Sequence, residues 1–167
     1  MVFSPLLNRL SSFLSMRRSI LAVCSLLLAG CLNLDVPAPE NNPSNPTTEA
    51  FAAGLNIDIA SMQKTTSGVY YKDVTVGSGA VLTAKRPVII DYNAYLRNGA
   101  RIDFGTNAPI DLTVAITGFG DGMLGMKEGG ERWLVIPSAL AYGNSNNIPE
   151  IPPNSTLVFD IKLDQIP

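Results

Sequence analysis

Apolar and polar residues alternate along most of the chain beyond Gly68, and this period of two is typical of β-strands with one buried face. Strands are predicted over residues 68–79, 86–97, 131–137 and 156–163. The second ends at Asn98-Gly99, a dipeptide typical of tight hairpins. Two alternating series mark the predicted buried faces: Val88, Ile90, Tyr92, Ala94 and Leu96, then Leu157, Phe159, Ile161 and Leu163.

Only the segment 118–130 has helical periodicity, with Phe119, Met123, Leu124 and Met126 at helical spacing and glycines at its end. Each glycine inside a helix costs about 1 kcal/mol relative to alanine, so this helix depends on packing for its stability. One short helix against an antiparallel sheet is an α+β architecture.

The first thirty residues are typical of an export signal. Arg17 and Arg18 precede a mostly apolar run, and Leu28 to Cys31 reads L-A-G-C, which resembles the lipobox of bacterial lipoproteins. That resemblance implies a signal peptide over residues 1–30 and diacylation of Cys31, which would anchor the exported protein to a bacterial membrane. A transmembrane anchor is the alternative, although the apolar run is shorter than the roughly 20 residues that span a bilayer.

Two further features concern the start and the destination of the chain. Residues from Met16 onward form a compact signal by themselves, so Met16 is an alternative start of translation. Leu32 and Asn33 follow the cysteine in place of the aspartate that usually retains lipoproteins in the inner membrane. This favours the outer membrane or the cell surface within the cell envelope.

The segment 31–63 is predicted to hold the lipidated cysteine and a proline-rich linker, followed by a globular domain over 64–167. Residues 33–48 contain four prolines and many small polar residues, a composition that favours an extended chain. Residues 49–64 have mixed periodicity, which fits a short helical turn or a docking segment.

Composition limits the chemistry of the domain. The chain has no histidine, and its two cysteines, Cys24 and Cys31, lie near the N-terminus. This excludes Ser-His-Asp and Cys-His catalysis, histidine metal sites, and disulfides in the domain; no metal or cofactor is expected. Nine basic and 14 acidic residues follow Cys31, a net charge of −5 without a Lys/Arg cluster, so nucleic acid is not an expected partner.

A long loop begins at Tyr142 and carries Pro149, Pro152 and Pro153 before the last strand. Long loops in compact domains are usually functional. Other apolar and aromatic residues gather where strands and loops meet. From periodicity alone, however, each of them is most simply a core residue.

The order and spacing of several motifs carry a family resemblance. They are D-Y-N-A-Y-L-R-N-G-A-R-I-D (91–103), I-T-G-F-G-D-G-M-L-G-M-K-E-G-G-E-R (116–132), A-Y-G (141–143) and I-P-P-N-S-T-L-V-F-D-I-K-L (151–163). Over about residues 68–166 the chain resembles the FKBP-type peptidyl-prolyl cis-trans isomerases. The resemblance implies a twisted antiparallel sheet wrapped around one short helix, and an enzyme that accelerates X-Pro isomerisation during folding of exported proteins. It also implies proline-containing polypeptides, and macrolides such as rapamycin, as ligands.

The same resemblance implies a site. Tyr92, Asp103 and Tyr142 match the catalytic positions, and the Tyr142 hydroxyl would hydrogen-bond the ligand. Ile116 would offer its backbone N–H to the substrate carbonyl, and Phe119 would form the floor. The implied substrate-binding residues are Ile102, Ile110, Ala115, Ile116, Phe119, Ile151 and Phe159.

Several positions depart from the commonest family pattern. Ile102 stands where the family usually has phenylalanine, Phe119 replaces a tryptophan, and Glu150 occupies a usually apolar loop position. The segment after Asp103 contains no arginine to pair with it. Because an unpaired buried carboxylate is costly, Asp103 is expected to be exposed or bonded to Tyr92.

Isomerisation suits this set of residues, because rotation about an X-Pro bond breaks no covalent bond and needs no nucleophile. Three hypotheses stay open: a working isomerase, a proline-binding or chaperone-like module with little turnover, and a purely structural lipoprotein. The retained pocket residues favour the first of these.

Overall fold

The computed structural model describes residues 43–167. The predicted signal peptide, Cys31 and the first part of the predicted linker lie outside the described residues. Within them the elements are β1 (Gln63–Lys64), β2 (Tyr70–Thr75), β3 (Pro87–Leu96), β4 (Arg101–Asp111), α1 (Thr117–Met123), β5 (Glu131–Ile136) and β6 (Leu157–Gln165). Every helix within residues 43–167 falls short of the length and apolar character that a bilayer span requires.

The strands form one antiparallel sheet in the order β1-β2-β5-β6-β3-β4. The predicted hairpin joins β3 to β4: Gly99 has φ +87°, and its N–H donates to the Leu96 carbonyl at 2.9 Å. β3 is an inner strand, with Tyr92 opposite Ile161 on β6 and Gly105 on β4. The predicted α+β fold, an antiparallel sheet with one short helix, is confirmed.

The main core lies on the sheet face that α1 covers. Both alternating series predicted from the sequence contribute to it, with Tyr92 and Leu96 partly buried at its margin. The fully or nearly buried members of the two series are Val88, Ile90, Ala94, Leu157, Phe159, Ile161 and Leu163.

Helix α1 is shorter than the predicted segment 118–130, and it packs very closely on β5. A Cβ atom added to Gly118 would lie 2.3 Å from Ile136 Cγ2, so only glycine permits this approach. The helix ends at Met123, and Leu124 is 37% exposed rather than on the buried face. Met126 is buried as expected, but from the turn that follows the helix.

Arg132 connects the sheet to the end of α1. Its side chain is buried, and its guanidinium donates to both carboxylate oxygens of Asp73 at 2.7 and 3.1 Å. It also donates to the carbonyls of Gly122 and Leu124 at 2.8 and 3.1 Å. These contacts pair a buried charge and satisfy carbonyls that a helix end leaves open.

A second apolar cluster covers the opposite face of the sheet. Here residues 43–62, which we call the N-terminal segment, pack against the strands. Leu55 is buried beside Val135 and Val158, and Trp133 stacks on Tyr95 with ring centroids 6.4 Å apart. The short helical turn or docking segment predicted over residues 49–64 is therefore docked on the sheet, and Trp133 belongs to the same cluster.

Candidate active site

A cavity of about 330 Å³ opens beside α1, on the same face of the sheet as the main core. Its size and its mostly apolar lining are typical of a small-ligand site. The side chains come from β3, β4, the start of α1, the long loop before β6, and β6 itself. They are Tyr92, Ala94, Ile102, Asp103, Ile110, Ala115, Ile116, Phe119, Tyr142, Ile148, Glu150, Ile151, Leu157 and Phe159.

Two phenylalanines form an aromatic part of the lining. Phe119 on α1 meets Phe159 on β6 edge to face, with ring centroids 4.9 Å apart. Both rings are largely buried, which fixes their orientation. An apolar ring of the size of proline can pack against such a surface.

Tyr92 and Asp103 form the polar pair of the cavity. The Tyr92 hydroxyl donates to Asp103 Oδ2 at 2.8 Å, and Asp103 Oδ1 accepts the N–H of Phe104 at 2.8 Å. Burial, and then the hydrogen bond to Asp103, raise the pKa of Tyr92 to about 12. Asp103 is both exposed and bonded to Tyr92, so the expectation from its missing arginine partner is confirmed.

Tyr142 enters the cavity from the long loop and is 39% exposed. Its hydroxyl has no hydrogen-bond partner within residues 43–167, and Tyr142 is the smallest of the four causes that raise the pKa of Tyr92. The neighbouring backbone is firmly held, because the Ser138 carbonyl accepts the N–H groups of Ala141 and Gly143. The Tyr142 side chain therefore offers a free hydroxyl from a fixed backbone.

Ile116 lies immediately before α1 and also lines the cavity. Its carbonyl accepts the N–H groups of Phe119 and Gly120. Its own N–H has no acceptor within the described part of the chain, so a ligand carbonyl can use it.

The structure brings together in this one cavity all ten residues that the sequence resemblance implies. Their roles in substrate binding and catalysis stay predictions. The lining also includes four residues that the sequence analysis did not assign to the site: Ala94, Ile148, Glu150 and Leu157. Strand alternation could have found Ala94 and Leu157, since they lie two residues from Tyr92 and Phe159 on the same face.

Ile148 was missed because it lies in an irregular loop, where no periodicity marks the buried side. The N–H of Ile151 donates to the Ile148 carbonyl at 3.0 Å, and this turn brings both isoleucines to the cavity.

Within residues 43–167, no three Asp, Glu, His or Cys side chains lie together in an arrangement that could hold a metal ion.

An antiparallel sheet, one short helix, and an apolar cavity between them that carries tyrosines define an FKBP-type domain. Residues 79–164 match the family profile described as FKBP-type peptidyl-prolyl cis-trans isomerase. The match covers just over half of the chain, and the chain belongs to this family.

Curated relatives carry the same domain within longer proteins. FK506-binding protein 4 of Dictyostelium discoideum is 42% identical over 101 residues, which are 58% of this chain and 28% of that protein. Peptidyl-prolyl cis-trans isomerase Mip of Chlamydia muridarum is 42% identical over 97 residues, which are 56% of this chain and 39% of that protein. The chain thus spans between about a quarter and two fifths of the length of these relatives.

Solved structures agree with the fold. FkpA from Escherichia coli superimposes with a TM-score of 0.58 at 35% identity, over 62% of this chain and 50% of that one. A peptidyl-prolyl cis-trans isomerase from Pseudomonas syringae gives a TM-score of 0.60 at 30% identity, over 68% of this chain and 85% of that one.

Proposed function

We propose that this protein is a working peptidyl-prolyl cis-trans isomerase that acts on X-Pro bonds of polypeptides. The observation that carries the proposal is the apolar cavity with the bonded pair Tyr92–Asp103 and the free hydroxyl of Tyr142. The names of the relatives, which include a peptidyl-prolyl cis-trans isomerase, support the same activity.

The proposed mechanism is preferential binding of the twisted amide. Amide resonance gives peptide rotation a barrier of about 18–20 kcal/mol. An apolar cavity that holds the proline ring takes the amide out of water, which weakens the hydration that favours the planar, charge-separated form. Donors at fixed positions, the Ile116 N–H and the Tyr142 hydroxyl, then hold the twisted geometry better than the planar one. Interactions that are stronger in the transition state lower the barrier.

The proposal extends to the place of action. The L-A-G-C motif and the proline-rich stretch after it support an exported lipoprotein, diacylated at Cys31 and held at a bacterial membrane, with exported polypeptides as substrates. We expect Cys31→Ser to move the protein from the membrane pellet to the soluble fraction. If the Cys31→Ser protein stays in the pellet to the same extent, the lipid anchor is wrong.

A proline-binding module with little turnover is the second candidate. It is favoured by Ile102, which lines the cavity at a position where the family usually has an aromatic side chain. A smaller aliphatic side chain there leaves the proline ring less enclosed, so this position bears on turnover and on macrolide affinity.

The test measures prolyl cis-trans exchange in an Ala-Leu-Pro-Phe peptide with the full chain in detergent, with and without rapamycin. We expect acceleration that rapamycin inhibits. In the double variant Tyr142→Phe with Asp103→Ala, kcat should fall by about 10- to 100-fold while the peptide still binds. Tyr71→Phe is the matched control, because the Tyr71 hydroxyl bonds Gln63 at 2.7 Å and its ring does not line the cavity. Binding of the peptide without acceleration would establish the module instead.

A further inference from the structure

Ser44 and Ser138 form a reciprocal pair across 94 positions of sequence. The N–H of Ser44 donates to Ser138 Oγ at 2.9 Å, and the N–H of Ser138 donates to Ser44 Oγ at 2.6 Å. Ser138 is only 1% exposed and Ser44 is half-buried, so water has limited access to these bonds. The pair therefore attaches the beginning of the N-terminal segment to the chain just beyond β5.

Ser138 is also the acceptor that shapes the backbone around Tyr142. Its carbonyl accepts the N–H of Ala141 at 3.0 Å and the N–H of Gly143 at 2.8 Å. Gly143 has φ +58°, a left-handed conformation that glycine adopts without strain. Its carbonyl in turn accepts the N–H of Asn154 at 2.8 Å. Backbone hydrogen bonds that start at the Ser138 carbonyl thus hold the residues on both sides of Tyr142.

Loss of the Ser44 hydroxyl would leave the Ser138 N–H buried without an acceptor. A buried backbone N–H without a partner costs free energy comparable with a lost hydrogen bond. The structure can avoid that cost only if Ser138 shifts toward another acceptor or toward water. Such a shift moves the carbonyl that holds Ala141 and Gly143, and Tyr142 between them.

We propose that Ser44 is a positioning residue for Tyr142. Through Ser138 it holds the turn that carries the Tyr142 hydroxyl at the cavity, so that the hydroxyl meets the twisted amide in one geometry. The inference rests on the proposed isomerase function. Ser44 lies only 13 positions after Cys31. The stretch of chain that leads to the predicted lipid anchor is thus connected to the active site.

The experiment compares Ser44→Ala, Ser44→Thr and Thr47→Ala in the full chain, in detergent, at a temperature where each variant is folded. A small misplacement of a catalytic group lowers the rate, and we expect Ser44→Ala to lower kcat by about three- to tenfold with little change in KM. Ser44→Thr keeps a hydroxyl and should restore most of the rate. Thr47→Ala is the matched control, because the Thr47 hydroxyl bonds only Asn45 of the same segment, at 2.8 Å; it should match the unaltered chain.

A double-mutant cycle with Tyr142→Phe separates positioning from general stability. If Ser44 acts through the Tyr142 hydroxyl, Ser44→Ala should cost much less in the Tyr142→Phe background. The inference is overturned if Ser44→Ala lowers kcat by the same factor in both backgrounds. It is also overturned if the kcat of Ser44→Ala equals that of Thr47→Ala. Should Ser44→Ala not fold, Ser44→Cys replaces it in the cycle, since a thiol is a much weaker acceptor for the Ser138 N–H; the same two outcomes then decide.

The inference and the proposed function fail in different ways. An unaltered chain that shows no acceleration overturns the isomerase function. The cycle is then measured on the affinity for the proline peptide, where the Tyr142 hydroxyl would still contact the ligand. A coupling between Ser44 and Tyr142 in that affinity supports the positioning role, and additive losses of affinity overturn it. If the unaltered chain accelerates exchange but Ser44 and Tyr142 show no coupling, the isomerase function is supported and the positioning role of Ser44 is wrong.

Discussion

Tyr92 shows how burial and a hydrogen bond together strengthen the hold of a cavity side chain on its proton. Burial first, and then the bond to Asp103, raise its pKa from 10.0 to about 12, so the hydroxyl stays protonated further into the alkaline range. Asp103, in contrast, only accepts hydrogen bonds, from Tyr92 and from the N–H of Phe104. The cavity therefore presents fixed hydrogen-bonding groups, which is what the proposed isomerisation, a reaction without proton transfer, requires.

The raised pKa of Tyr92 has a measurable consequence. Because the folded pKa lies above the unfolded one, the stability gained from protonated Tyr92 is fully present below about pH 10 and is lost as pH rises toward 12. An ultraviolet titration of the tyrosines should show one late ionisation that is absent in Tyr92→Phe. Asp103→Ala should move it to lower pH, and Asp103→Asn should move it less, since the amide oxygen still accepts. If the late ionisation stays at the same pH in Asp103→Ala, the hydrogen bond to Asp103 does not raise the pKa of Tyr92.

Glu150 is the second carboxylate of the lining, and it bears on the choice of substrate. It is exposed, it has no hydrogen-bond or ion-pair partner within residues 43–167, and no basic side chain lines the cavity. At low salt we expect peptides with lysine next to proline to be turned over about three- to tenfold faster than those with glutamate, in kcat/KM.

The control for this prediction is a change of equal charge away from the cavity. Glu150→Gln should remove most of the preference, whereas Asp164→Asn, which lies on β6 outside the lining, should keep it. High salt should weaken the preference in the unaltered chain. A preference of the same size in Glu150→Gln would mean that Glu150 does not select substrates.

At the scale of elements, α1 persists with three glycines because close packing on β5 replaces intrinsic helix propensity. Gly122 faces Leu134 in the same way that Gly118 faces Ile136: an added Cβ would lie 2.8 Å from the Leu134 methyl carbons. The close approach brings Phe119 to the cavity, where it meets Phe159. The glycines are thus part of how the site is built.

Substitution of Gly118 tests this account. Although alanine favours a helix over glycine by about 1 kcal/mol, we expect Gly118→Ala to destabilise the protein by about 2–3 kcal/mol, because its Cβ overlaps with Ile136. Gly54→Ala is the control, since no atom lies within 4 Å of an added Cβ there; it should change stability by no more than about 0.5 kcal/mol. Urea denaturation measures both. If Gly118→Ala leaves the free energy of unfolding unchanged, the helix and β5 can move apart without cost.

At the scale of the whole molecule, packing within residues 43–167 covers each face of the sheet in part. The main core and the cavity occupy one face, and the N-terminal segment covers part of the other. The segment also reaches the hairpin between β3 and β4, where the N–H of Ala52 donates to the Arg97 carbonyl at 2.8 Å. We therefore expect docking of this segment to stabilise the domain as well as the turn around Tyr142.

Leu55 tests that contribution, because it is buried where the segment meets the sheet. Leu55→Ala should lower the free energy of unfolding by about 2–4 kcal/mol, since it leaves a cavity between the segment and Val135. Trp133, the single tryptophan of the chain, belongs to the same cluster, and its fluorescence should become more accessible to acrylamide. Val76→Ala, at a side chain 73% exposed, is the control. If both variants unfold at the same urea concentration, the segment does not stabilise the domain.

Much of this architecture follows from local pattern. The alternation of β3 and β6, the hairpin at Gly99 and the single helical segment were all predictable, because the buried face of a strand or helix repeats at a fixed period in the sequence. Motif order then identified the ten lining residues through the family resemblance. The bounds of α1 were less predictable, since Leu124 continues the helical spacing but follows a backbone that has already left the helix.

The remaining features depend on contacts between distant parts of the chain. No period marks Ile148 or Glu150 as cavity residues, because both lie in an irregular loop whose path depends on the surrounding strands. Nothing near Ser44 in the sequence points to Ser138, 94 positions away. Sequence alone thus determined four of the six strands, the hairpin and the buried faces of β3 and β6, since these arise from local periodicity. Three features depend instead on tertiary structure: the docked N-terminal segment, the hydrogen bond between Tyr92 and Asp103, and the proposed positioning of Tyr142 by Ser44. They arise only when packing brings distant residues within hydrogen-bond and van der Waals distance.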